Sequence, residues 1–181
     1  MPYGTETLGE YTKLVSGTHV FSYNKIVGIA ILLDASVDYS DPTVWESYAN
    51  DAATMEGKVA IIPKVIGTYD GGNPTTDKGY GNKLEVVTQM THTIDFRTEY
   101  NKINTPFVEN LMLADNAGIA FFTGDFEELT VVTGVNVSFA NLMPVTDEMD
   151  KPREFNYKAT WSKIKLPRVV AHNAAVAGLF K

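Results

Sequence analysis

From Leu84 to Tyr100 the even positions carry Leu84, Val86, Thr88, Met90, His92, Ile94, Phe96, Thr98 and Tyr100, while the odd positions are mostly Glu, Gln, Thr, Asp and Arg. Successive side chains of an extended chain point to opposite faces, so this alternation predicts a strand with one buried and one solvated face. Strands usually run about 5 to 6 residues, so a strand this long must bend, cross a barrel wall or project beyond its sheet. Leu129, Val131, Thr133, Val135, Val137 and Phe139 repeat the alternation, with Gly134 as a candidate bulge on the opposite face. Phe155, Tyr157, Ala159 and Trp161, facing Asn156, Lys158, Thr160 and Ser162, give a third half-buried strand.

The first half of the chain is patterned differently. Val20 to Leu33 and Val59 to Ile66 are nearly continuous apolar runs, as expected of strands covered on both faces. Between them Asp41 suits an N-cap, Pro42 the first helical position and Gly57 the residue after the last turn. Val44, Tyr48, Ala52 and Met55, with Trp45 and Ala49 beside them, form the apolar face of that helix. A shorter helix is predicted from Thr105-Pro106, burying Phe107, Val108, Leu111 and Met112, followed by a turn at residues 115–118 and a short strand from Ile119 to Thr123.

Residues 70–82 hold four glycines and a proline without core-forming periodicity and are expected to be an exposed loop. Ala171 to Phe180 is a marginal terminal helix that needs a docking surface, which points toward a partner. These elements predict a mainly β (α+β) chain: an antiparallel β-sandwich or barrel with one flanking helix and a second short helix. Residues 1–181 form a single domain with an N-terminal arm (1–17), the loop at 70–82 and a C-terminal tail (171–181).

The composition narrows the function. With 181 residues, 44% hydrophobic content and 20% charged residues, one substantial core is expected, and nine Tyr, nine Phe and two Trp fill it. There is no cysteine, hence no disulfide framework, thiolate nucleophile or Cys-based metal centre. The longest apolar run, Ile26 to Leu33, is broken by Gly28 and is too short to span a bilayer as a helix. The first residues lack the cationic and apolar regions of a secretory signal, so export by that route is not expected.

The net charge of −7 disfavours adhesion to phosphate backbones. Between Lys102 and Lys151 there is no Lys or Arg, while Asp125, Glu127, Glu128, Asp147, Glu148 and Asp150 lie there. Lys151, Arg153, Lys158, Lys163, Lys165 and Arg168 then reverse the sign. Such blocks are either solvated faces or complementary faces of a self-assembling subunit.

Catalytic signatures are missing. His19, His92 and His172 are far apart, and His92 lies on the apolar face of its strand, where a hydrogen-bonded structural role is expected. Neither Gly71-Gly72 nor Gly79-Tyr80-Gly81 has the flanking residues of a phosphate loop. The acidic clusters lack calcium-loop spacing, and there is no nucleophile elbow. No enzyme activity, metal or cofactor is expected.

A long alternating strand, a short capped helix, a short strand, a hairpin and a last strand ending Lys158-Ala159-Thr160-Trp161-Ser162-Lys163-Ile164-Lys165-Leu166-Pro167 give an order that resembles the tail tube proteins of tailed bacteriophages and related injection devices. The resemblance covers Leu84 to Arg168 and is one of pattern. It implies a virion subunit, made in the host cytoplasm, six copies of which close a ring whose inner sheets form a channel wall. Its partners would be itself and other tail proteins, with DNA as transiting cargo. On this reading the six acids named above line the lumen or an interface, and the six basic residues form an inter-subunit face. Gly71, Gly72, Asn73, Asp77, Lys78 and Tyr80 belong to a ring-stacking loop. The alternatives are a neck, connector or tail-completion ring, and a β-barrel ligand-binding module or enzyme.

Overall fold

The computed structural model describes residues 25–78, 81, 85–123, 128–145, 152–171 and 174–180. In chain order these form β1 (Ile26–Leu32), α1 (Pro42–Asn50), β2 (Val59–Ile62), β3 (Ile66–Tyr69), β4 (Asn73–Asp77), β5 (Val86–Glu99) and α2 (Thr105–Leu111). They continue with β6 (Gly118–Thr123), β7 (Glu128–Val132), β8 (Ser138–Leu142), β9 (Glu154–Ser162), β10 (Arg168–Ala171) and α3 (Ala174–Ala177). The strands pair antiparallel in the order β10-β7-β6-β1-β3-β5-β9-β8, with β2 also on β1 and β4 also on β5. The chain is mainly antiparallel β with a few short helices, as its patterning predicts.

This sheet folds over on itself. Ile29, Ile31, Ile119 and Phe121 from β1 and β6 share one core with Ile94, Phe96, Phe155 and Trp161 from β5 and β9. The alternate residues of the first group, Ala30, Leu32, Ala120 and Phe122, form a second core with Trp45 and Tyr48 of α1 and Val176 and Phe180 of the C-terminal segment. Burial on both faces explains the nearly continuous apolar run of β1. Asp41 caps α1 by accepting from Thr43 N at 2.9 Å, Pro42 occupies the first turn, and the Trp45 indole donates to the Tyr39 carbonyl at 2.9 Å. The helix stops at Asp51, whose carboxylate caps a following 3₁₀ turn, and this leaves Ala52 exposed.

Four expectations are corrected. Residues 73–77 are not loop but β4, paired with the first half of β5; Pro74 is tolerated because β4 is an edge strand. The alternation from Leu129 to Phe139 belongs to two strands, not one. At Thr133–Asn136, where Gly134 has φ +70, the chain leaves β6 and joins β9 in the other half of the sandwich. In α2 the two-turn helix turns Val108 and Leu111 inward, and Phe107 and Met112 remain exposed. The C-terminal segment finds its docking surface within its own chain: the Phe180 and Phe122 rings lie 4.4 Å apart, and Gly28 makes room, since a Cβ there would collide with the Phe180 ring.

Candidate functional site

Helices cover the outer face of the half built on β1, β6 and β7. Among the described residues, no helix or strand covers the outer face of the other half, β3-β5-β9-β8. Its side chains lie in register across four strands: Ile66, Arg97, Asn156 and Leu142 in one row, then Thr68, Asp95, Lys158 and Ala140 in the next. Thr93, Thr160 and Ser138 follow. Most of these residues are exposed and none is buried, although the strands beneath them are held by a packed core. Arg97 pairs with Glu154 at 3.2 Å across half-exposed side chains, a contact worth at most about 1 kcal/mol in water. Charges of both signs share the surface, with Asp95, Glu99 and Glu154 against Arg97 and Lys158. The sheet ends at β8, whose outer edge pairs with no strand among the described residues.

The second feature is a projecting hairpin. β9 pairs β5 from Glu99 to Thr91, and between Val86 and Met90 the strand partner of β5 is β4. All of β4 and Val86 to Gln89 of β5 are exposed, so this two-stranded arm buries neither face. Isolated two-stranded ribbons are marginally stable in water. Its root is held instead. Asp70 Oδ1 accepts from Gly72 N at 2.9 Å and Thr93 N at 3.0 Å, and Oδ2 accepts from Asn73 Nδ2 at 2.9 Å.

Beneath the root lies His92, fully buried. Its Nε2 donates to the Lys163 carbonyl at 2.7 Å and its Nδ1 accepts from the Tyr69 hydroxyl at 2.7 Å. A carbonyl can only accept, which places a proton on Nε2; in the neutral ring Nδ1 is then the acceptor and the hydroxyl the donor. The ring is stacked against Trp161 at 5.2 Å. Gly72 covers it with φ +93, and a Cβ at Gly72 would lie 2.7 Å from the imidazole. Burial, then the charge of Asp70, pushes the Tyr69 hydroxyl up to about 12. With both ring nitrogens engaged and no solvent access, His92 organises the arm's base, which is the structural role its strand position predicts.

A third feature is an open cleft of about 840 Å³ between β2 and the segment after β5, lined by Ile61, Pro63, Lys64, Glu99, Lys102 and Phe107 among others. β2 pairs β1 along one edge, and no strand covers the other among the described residues.

The residues singled out from sequence fall at separate places. Gly71, Gly72, Asn73, Asp77 and Lys78 are brought together at the root and along the arm, whereas Tyr80 lies outside the described residues. Asp125, Glu127, Asp147, Glu148, Asp150 and Lys151 also lie outside them, and Glu128 opens β7 opposite Ala171 of β10. The remaining basic residues do not share one face. Arg153 stacks over the Tyr100 ring at 4.4 Å at one end of β9, and Lys158 stands mid-strand on the bare face. Lys163 reaches the Thr133 carbonyl at the other end, Lys165 follows in the loop, and Arg168 donates to Ser40 Oγ at 3.0 Å. A nine-residue strand spans roughly 27 Å, which separates them. Tyr69, Asp70 and the Lys163 carbonyl were not anticipated, although the Asp-Gly-Gly-Asn turn sequence marked the neighbourhood. Among the described residues no group of three metal-ligating side chains converges, and no helix is long and apolar enough to cross a membrane. No protein-family profile matches the chain, and no curated protein matches it significantly.

Proposed function

We propose that this chain is a structural subunit that assembles with copies of itself into rings, stacked as the wall of a tube, in the manner of a phage tail tube protein. The observation that carries this reading is the asymmetry of the sandwich: one half is sealed by helices, while the other, among the described residues, presents an uncovered sheet with an open edge at β8 and an arm without a core of its own. Joining such edges around a ring removes the aggregation hazard of unpaired strands. The bare face, polar and mixed in charge, then forms the inside of the channel and offers DNA no continuous basic track to adhere to. Six subunits per ring, DNA as cargo and other tail proteins as neighbours follow from the resemblance and belong to the same proposal. No catalytic role is assigned.

Negative-stain electron microscopy of the purified protein, with light scattering across concentration, tests it. Hollow tubes of regular repeat are expected. Single rings would move the protein to a connector role, and a monomer at high concentration would overturn the assembly reading.

A further inference from the structure

Taking self-assembly as its premise, we infer that the cleft beside β2 is the receptor for the β4–β5 arm of a second copy, so that subunits join end to end along the strand direction. The two features sit at opposite ends of the same strand. The arm prolongs β5 beyond Met90, and the cleft borders β5 at Thr98–Glu99 and the residues that follow. The interval from Met90 to Glu99 is about 30 Å of extended chain, and the arm points away from it. An arm therefore cannot enter the cleft of its own subunit, but a copy displaced along the strands meets it.

The two surfaces are matched in chemistry. Each has an unpaired strand edge among the described residues, β4 on the arm and β2 in the cleft, so backbone groups are available on both sides for added pairing. Each is partly apolar: Val86, Val87 and Pro74 on the arm, Ile61, Pro63 and Phe107 at the cleft. The charges are complementary as well. Asp77 and Glu85 of the arm answer Lys64 and Lys102 of the cleft, and Lys78 answers Glu99. A contact between two different patches is heterologous and propagates copy after copy; with each copy displaced along the strands it runs on as an open stack rather than closing into a ring.

The chain contains no cysteine, which makes a clean test available. A variant carrying both Thr75→Cys and Pro63→Cys, oxidised after assembly, is expected to give a ladder of covalent multimers on non-reducing gels, with neither single variant giving one. Lys64→Glu with Lys102→Glu should weaken association at least ten-fold, and adding Asp77→Lys with Glu85→Lys should restore it. Assembly that persists with no ladder and no charge rescue would overturn the arm-in-cleft contact while leaving self-assembly intact. Absence of assembly in the unmodified chain would overturn both. If removing residues 1–24 opens the Pro63→Cys thiol to a maleimide probe in the monomer, the cleft belongs to the chain's own N-terminal segment, and the inference fails.

Discussion

His92 Nε2 lies 2.7 Å from the carbonyl oxygen of Lys163, joining residues 71 positions apart and tying the root of the projecting arm to the loop between β9 and β10. The same ring receives the Tyr69 hydroxyl on its other nitrogen, so one side chain holds three segments together. Replacing it by Leu keeps an apolar filling but leaves the Lys163 carbonyl and the Tyr69 hydroxyl without their partner. Each buried polar group left unpaired costs about 1–3 kcal/mol. His92→Leu is expected to lose at least that much in urea unfolding, and His92→Gln, which retains a donor, to lose less. Equal stability of His92→Leu and the parent would dismiss the clamp.

Gly72 is required for two separate reasons, a φ of +93 and the imidazole beneath it. Alanine there meets backbone strain and a contact tighter than real side chains show, so a destabilisation above about 1 kcal/mol is expected. Gly71 also has positive φ, but a Cβ there meets open space. Gly71→Ala should therefore cost less than Gly72→Ala in the same measurement.

Alkaline pH should loosen the arm's root. Burial raises the Tyr69 and Tyr39 hydroxyls from 10 to about 12, so the folded chain holds these protons while the unfolded chain releases them. The stability they contribute is fully present below pH 10 and is lost as pH rises through about 12. Burial raises Tyr48 and Tyr157 as well, and Tyr69→Phe removes one of these titrations, so its stability should decline less steeply than the parent's above pH 10. Identical slopes in denaturation measured across that range would contradict the assignment.

The legibility of this fold followed the burial of each element. β1, β9 and the capped α1 were readable because their signals come from packing that the sequence itself encodes: a run buried on both faces, an alternation over one core, and Asp41-Pro42 before an apolar stripe. β4 gives no hydrophobic period because both of its faces are exposed, and Thr75 and Thr76 are held by backbone pairing and polar contacts to Thr88 and Glu85. The break at Gly134 was hidden because β7 and β8 both alternate, and the chain passes from one half of the sandwich to the other without interrupting the pattern. At the arm's root, Asp70 and the Lys163 carbonyl act through contacts at long sequence separation, which no local period carries.

The C-terminal segment is expected to be part of the folded subunit. Phe180 is buried against Gly28 of β1 and Phe122 of β6, and Val176 lies in the same core, so Phe180→Ala should cost about 3–5 kcal/mol. Proteolysis of a monomeric, non-assembling variant should spare residues 174–180. Rapid trimming there, with no loss of unfolding free energy, would reassign the segment to contacts between subunits.

The last prediction concerns the bare sheet. Thr93 and Thr160 are directly opposed near its centre, on a face that mixes charges of both signs. If this face lines a channel, Thr93→Lys with Thr160→Lys places cations around the lumen at every ring, multiplied by the symmetry of the assembly. Both threonines are half-exposed, and replacing their cross-strand pair by two opposed lysines costs on the order of 1 kcal/mol, small against the stability of a folded domain, so folding and assembly should persist. What should change is affinity for nucleic acid, because phosphate pairing releases counterions and dominates such binding. Assembled variant tubes are expected to retain single-length duplex DNA at low salt, to release it as salt rises, and to shield it from nuclease, while parent tubes do none of these. Variant tubes that bind DNA but leave it open to nuclease would place the bare sheet on the outside. Variants that fold yet no longer assemble would instead make this face a contact between subunits.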